Sequence, residues 1–258
     1  MSALVTSAGD LRRLVARDLR RELRVLDGLI VNTALPVIIM LLFVYVFGGA
    51  ITTGSSGLPY IDFVVPAVLL MSGGYGAALS AVNISEDLTG GMIDRFRTLP
   101  ISGWVVPAGH VVASVVRNVA SSAIALLAAI ILGFRPDATL TDWALVLALV
   151  AGYVLAMSAL AVVWGLLVRS TQAAGAFSFA MLFLPYLSDG IVPAETMPGV
   201  LRDFAYNQPA TPIIEALRAL LLDRPVGSSG AVAAAWLVGV VVISVPAAAL
   251  LFRRRTAA

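Results

Sequence analysis

Glu86-Asp87-Leu88-Thr89-Gly90-Gly91-Met92-Ile93-Asp94-Arg95-Phe96-Arg97-Thr98-Leu99-Pro100-Ile101-Ser102 is a polar island between two long apolar runs, residues 61–84 and 105–132. A run of about 20 apolar residues is what a helix needs to cross the hydrocarbon of a bilayer. A segment carrying this much charge between two such runs must lie in water, since ionised side chains at depth are costly. In water a soluble partner can grip it and push on the membrane domain attached to it.

The whole composition agrees with membrane residence. Of the 258 residues 60% are hydrophobic and only 12% charged, about half the charge of an ordinary soluble domain. No cysteine is present, which excludes disulfides, thiol catalysis and cysteine metal sites. One histidine, His110, cannot build a multi-histidine metal centre. All 17 basic residues are arginines. Without a lysine there is no P-loop, so any ATP used must be bound by another chain. Neither a catalytic set, a metal site nor a cofactor site is expected in this chain, and nucleic acid is not an expected partner. Arginine without lysine, with abundant alanine and valine, suggests a GC-rich bacterial genome.

Working outward, residues 10–27 read as an amphipathic helix. Leu11, Leu14, Val15, Leu19, Leu23, Val25 and Leu26 fall on one half of the wheel and Arg13, Arg17, Arg20, Arg21 and Arg24 on the other. Such a helix is expected to lie in the headgroup plane, charges toward anionic lipid. It is too charged for a cleavable signal peptide and is expected to be retained. Six spans follow, at residues 29–51, 61–84, 105–132, 143–168, 171–191 and 231–252. Proline and glycine inside them (Pro36, Pro66, Gly73, Gly74, Gly152, Pro246) do not argue against membrane helices. The fold class is an all-α integral membrane protein, one permease-like domain over residues 1–258, with no repeat evident.

Arginine bias sets the expected orientation. With the N-terminus inside, the inner segments hold twelve arginines, including Arg95, Arg97, Arg169 and Arg253 to Arg255; the outer ones hold Arg135, Arg202, Arg218 and Arg224. Both termini and the island at residues 86–102 are therefore expected in the cytoplasm. The long connection before the last span, residues 193–222, is expected to form short extracytoplasmic helices. Thr211 suits an N-cap and Pro212 a first helical position.

Within the island, Glu86 and Asp87 suit a helix N-terminus, while Pro100 ends one. Met92, Ile93, Phe96 and Leu99 give the short helix an apolar edge opposite Asp94, Arg95 and Arg97. Such an edge can dock a cytoplasmic protein, its charges setting register; the same residues also suit a solvated loop that only maintains topology.

Residues Gly91 to Ser102 resemble the cytoplasmic loop of type-2 ABC exporter permeases, the daunorubicin-resistance branch above all. A second stretch resembles the same branch at the corresponding place: Val192-Pro193, Thr196-Met197-Pro198-Gly199, Leu201-Arg202, Phe204-Ala205, Gln208-Pro209, Thr211-Pro212, Glu215 and Leu217-Arg218. The resemblance covers nearly the whole chain. It implies a permease working with a second permease copy or homologue and with ABC ATPase subunits, which would bind the ATP and Mg. It makes the island the coupling helix, with Glu86, Asp87, Gly90, Asp94, Arg95, Arg97 and Pro100 matching the loop pattern. The helices after Pro193 would shape an outer gate, and a bacterial inner (plasma) membrane would be the location.

Polar groups inside the spans are few. Arg117 is either a buried charge lining a pathway or a side chain snorkelling to the headgroups. Asp189 is expected at the outer boundary as an interfacial or gate residue, near Pro193, Met197 and Glu215. His110 is expected to be an interfacial packing residue. The runs Gly54–Gly57 and 227–230 read as flexible turns, and an intramembrane protease lacks its catalytic set. A stand-alone ion-coupled secondary transporter is the alternative function; it would need mid-membrane carboxylates or histidines that the spans scarcely offer. A purely structural assembly factor remains a third reading.

Overall fold

The computed structural model describes residues 15–16, 26–49, 51, 53, 57–90 and 105–257. Among these residues every regular element is helical. Helix α1 (Leu26–Leu41) runs directly into a π-helical stretch, Leu42–Phe47. Then come α2 (Tyr60–Thr89), α3 (Val105–Ile131), α4 (Leu140–Leu167) and α5 (Thr171–Phe183), the last continued by a 3₁₀ turn, Leu184–Leu187. After a 3₁₀ turn at Ala194–Thr196 lie two short helices, α6 (Gly199–Asn207) and α7 (Ala210–Leu221), before α8 (Ser229–Ala257).

Four helices are long and apolar enough to cross a membrane: α2, α3, α4 and α8. The first and fifth of the six expected runs correspond to shorter apolar helices, Ala34–Phe47 and Thr171–Leu187. The fifth falls short of residue 191 because its α-helix ends at Phe183 and tightens around Pro185. Of the expected interfacial helix at residues 10–27, only Val15, Ala16, Leu26 and Asp27 lie within the described residues.

Helix α2 is the axis of the bundle. It packs on α1, α3, α4, α5 and α7, whereas α8 rests chiefly on α4 and α7. The most apolar 18-residue window of α2 is 89% buried, against 22% for α8. The sequence of α2 explains this position. Lipid tails are as apolar as leucine, so membrane helices associate through close packing rather than exclusion from water, and small residues let backbones approach. Gly73, Gly74, Gly76, Ala77, Ala78 and Ala81 give α2 such a surface. A Cβ on Gly74 would stand 2.5 Å from the Tyr153 hydroxyl of α4, and one on Gly165 of α4 would strike the carbonyl oxygen of Ala81.

The helix ends are satisfied locally. Thr139 and Asp142 form a capping box at the start of α4, and Ser170 Oγ accepts the Ala173 amide at the start of α5. At the end of α4, Arg255 Nη2 donates to the carbonyls of Leu167 (3.1 Å) and Val168 (2.9 Å). That contact brings the last turn of α8 to the end of the bundle where α2 finishes and α3 begins; we call it the terminal end. The expected flexible turn at residues 227–230 is a turn with Gly227 at φ +58°, and α8 starts within it at Ser229.

Candidate functional site

Three polar groupings lie on or beside α2, one at each end and one between. At the terminal end, α2 continues past Ile84 to Thr89, so Glu86 and Asp87 occupy the last turn of a spanning helix. The expectation that they open a new helix is corrected here. The packing surface of α2 persists beyond its apolar run: Ser85 and Asp87 are buried, while Glu86 is exposed. Asp87 Oδ2 lies 3.0 Å from His110 Nε2 in the second turn of α3, and both side chains are buried. His110 thus packs between the helices with a hydrogen-bond partner on α2. Gly90 ends the helix, its amide donating to the Glu86 carbonyl at 2.8 Å. Asp94, Arg95, Arg97 and Pro100 lie outside the described residues.

Midway along α3 the polar side chains follow helical spacing: His110, Ser114, Arg117, Asn118, Ser121 and Ser122 are all buried. Spacings of three, four and seven put them on one face, turned toward α2 and α4. The Ser114 hydroxyl is the hub. It accepts from Ser158 Oγ of α4 (2.7 Å), Asn118 Nδ2 (3.0 Å) and Arg117 Nη2 (3.4 Å). Arg117 Nη2 also donates to the Gly76 carbonyl of α2 at 3.0 Å, using the lone pair that helix bonding leaves vacant. Arg117 is 8% exposed, so it points into the bundle rather than snorkelling. These bonds pin α2, α3 and α4 together. The sequence contained the signal, a polar repeat along one helix face, but the short serines made it easy to read through.

The opposite end carries a charged knot. Arg218 of α7 places its guanidinium 4.0 Å from the centre of the Phe63 ring of α2. Its Nη2 donates to the carbonyls of Asp189 (2.8 Å) and Phe63 (3.2 Å), and its Nη1 lies 3.5 Å from Asp189 Oδ2. Asp189 Oδ1 in turn accepts the Ala194 amide at 2.6 Å, closing the turn that holds Pro193. Burial pushes the Glu215 carboxyl above its ordinary range and Asp189 reinforces this, while Arg218 opposes it. Burial likewise lowers the Arg218 value against the opposing pull of Asp189, which leaves the guanidinium charged. Tyr60 Oη donates to the Ile191 carbonyl at 3.0 Å, so the first turn of α2 also holds this segment.

The structure therefore gathers Asp189, Glu215 and Arg218, with Pro193 buried at the edge of the group. Met197 is half-buried, and its carbonyl accepts from Arg202. Arg117 lies apart, on the α3 stripe. Thr211 is not an N-cap: α7 begins at Ala210 after Pro209, and Thr211 Oγ1 donates to the Ala205 carbonyl while accepting the Asp189 amide at 3.3 Å. Its hydroxyl ties α7 to α6 and to the Asp189 turn instead of starting a helix. Among the described residues no three histidine, cysteine or acidic side chains are grouped to hold a metal ion.

A bundle of apolar helices, with buried polar groups where α2 ends and α3 begins and short helices before its last long one, defines a class of multi-pass membrane protein. The family model described as ABC-2 type transporter matches residues 10–222, and the chain belongs to that family. It is 27% identical over 190 residues to a daunorubicin resistance ABC transporter permease protein of Streptomyces coeruleorubidus. That alignment covers 72% of this chain and 66% of the relative, so this chain spans just under two thirds of its length. It is also 23% identical over 244 residues to a probable doxorubicin resistance ABC transporter permease protein of Mycobacterium tuberculosis, covering 94% of this chain and 86% of that one.

Proposed function

We propose that this chain is the membrane-spanning subunit of an ATP-binding-cassette exporter that moves an amphipathic drug-like or lipid-like compound outward. Separate cytoplasmic ATPases hydrolyse the ATP, and the chain pairs with a second permease copy or homologue. Its own lack of lysine supports that division of labour. Both termini and the island are cytoplasmic, six segments cross the membrane, and the residues from Glu86 to Pro100 form the contact with the ATPase. The drug-resistance names of the two relatives support an apolar or amphipathic cargo.

The observation that carries this reading is the position of α2. The helix has 30 residues and so is about 45 Å long. One end is locked to α3 through Asp87 and His110, where the island leaves it. The other end presents Phe63 to Arg218. A push on the island acts on a stiff rod, since the Asp87 pair makes the ends of α2 and α3 move as one unit. At the far end the displacement changes the Phe63 contacts of Arg218, and with them the Asp189 turn and α7. In this mechanism Arg218, Asp189 and Glu215, with Pro193 and Met197 behind them, form the outer gate, and the Arg117 stripe holds the three central helices in one body.

The test is transport in vesicles containing this chain and its ATPase, with Asp94→Ala and Arg95→Ala introduced together. ATP hydrolysis should persist while export is lost, and membrane insertion should be unchanged. Full transport by this chain alone, driven by an ion gradient, would remove the reading.

A further inference from the structure

A cavity of about 320 Å³ opens between α2, α3 and α4, on the half of the bundle toward Trp143. Its walls include Leu69 of α2, Val119 of α3, and Trp143 and Val150 of α4. Ala123 and Leu147, both exposed on the outer surface of their helices, stand at its mouth, so the cavity opens on the apolar outer face of the bundle. The only polar side-chain group on the α3 wall is Ser122, which is 4% exposed. Its hydroxyl has no hydrogen-bond partner. A second hydroxyl in the same condition, Tyr153 Oη of α4, stands behind it: both Ser122 Oγ and the Tyr153 ring flank Gly73 of α2, at 3.7 and 3.6 Å from where a Cβ would be.

A buried hydroxyl left unsatisfied is destabilising, and in a membrane no water from the bilayer core relieves it. On the α3 stripe Ser114 and Ser121 have partners. Ser72 and Ser80 of α2 lack one as well but do not line the cavity, whereas the Ser122 hydroxyl opens onto a space. Cavities of this size with apolar walls and one or two placed polar groups are the usual form of a small-molecule site. We infer that this cavity binds a small lipophilic molecule bearing one hydroxyl or carbonyl oxygen, which bonds Ser122 Oγ and enters from the bilayer. The site is separate from the gate and the island, and it stands whether or not an ATPase drives the chain.

The experiment uses a matched pair of probes, 4-bromobiphenyl and 4-bromo-4′-hydroxybiphenyl, added to the chain in phosphatidylcholine nanodiscs. Of the four tryptophans, Trp143 alone is kept (Trp104→Phe, Trp164→Phe, Trp236→Phe), and contact quenching by bromine is followed at equal bilayer mole fractions. Saturable quenching is expected from both probes, with the hydroxylated one binding about fivefold more tightly, the worth of one neutral hydrogen bond. Ser122→Ala should erase that preference, and Ala123→Trp at the mouth should abolish saturable quenching by either probe. Equilibrium dialysis against nanodiscs holding the otherwise unsubstituted chain should give the same ranking. Quenching that never saturates, or equal binding of both probes unaffected by Ser122→Ala, would overturn the inference and leave a space filled by any lipid chain.

Discussion

Asp189→Asn removes one charge from the knot around Arg218 and leaves every other ligand of the guanidinium in place. The carboxylate is its longest hydrogen-bond partner, 3.5 Å from Nη1, whereas the Asp189 carbonyl at 2.8 Å, the Phe63 carbonyl at 3.2 Å and the Phe63 ring at 4.0 Å remain. The side chains of Arg218 and Asp189 are 11% and 18% exposed, between the buried and solvated limits. Breaking a buried pair costs about 3–5 kcal/mol and an exposed one about 0–1 kcal/mol. Because an amide oxygen can still accept, Asp189→Asn is expected to cost about 1–2 kcal/mol. Arg218→Ala loses the ring contact, worth about 2 kcal/mol when desolvated, and charge-assisted bonds to two carbonyls. It also strands the Asp189 carboxylate, and a total of about 3–5 kcal/mol follows. In a chain of this size 1 kcal/mol moves the melting midpoint by about 2–4 °C. The two variants should therefore melt about 2–8 °C and about 6–20 °C below the parent. Tryptophan fluorescence of the detergent-purified chain reads this at one fixed heating rate, since the midpoint of irreversible unfolding depends on the rate. An Asp189→Asn shift equal to or larger than that of Arg218→Ala would refute the reasoning, since the carbonyls and ring would then contribute nothing.

Other variants test other contacts. Gly165→Ala drives a Cβ into the Ala81 carbonyl, backbone that cannot swing aside, and should cost about 1–3 kcal/mol; Gly152→Ala meets only Leu237 Cδ1 at 3.5 Å and should be neutral or slightly stabilising in the same melt. Because burial raises the Glu215 carboxyl, the folded state binds its proton more tightly than the unfolded chain does. Stability from this group is fully present below the unfolded value and is lost as pH rises through the folded one. Glu215→Gln should therefore raise the melting midpoint at pH 8 relative to the parent and lose that advantage at pH 4. A double-mutant cycle on Asp87→Asn and His110→Gln should give a coupling energy of about 1–3 kcal/mol; a value near zero would mean that α2 and α3 are not joined there.

How much of this was legible in the sequence depends on the length scale of each signal. Apolar runs place the centres of the helices well, because 20 residues of one character overwhelm local noise. They place the ends badly. Glu86 and Asp87 look like the start of something polar, yet Asp87 is held in α2 by a histidine 23 positions away, a partner no window of sequence contains. Thr211-Pro212 looks like a helix start for the same reason, and its hydroxyl is taken by Ala205 and Asp189. The charged knot is legible as residue types, since Asp189 and Glu215 stand out as carboxylates at and beyond a span end. Arg218 at its centre stands out only as one outer arginine among four and as part of a motif, because its importance lies in Phe63, 155 positions earlier. On α3 the polar stripe was available as a period of three and four, but serine is common in membrane helices and draws no notice until Ser114 is seen to accept three bonds.

The central claim is that the island is where a separate ATPase takes hold. The natural absence of cysteine allows a direct measurement. Arg95→Cys, labelled with benzophenone maleimide and irradiated in membranes containing the ATPase subunits, should give an adduct with the mass of this chain plus one ATPase. Arg202→Cys on α6, placed by this account across the membrane, should give none. An adduct from position 202, or none from position 95 while ATP-driven export proceeds, would contradict the account.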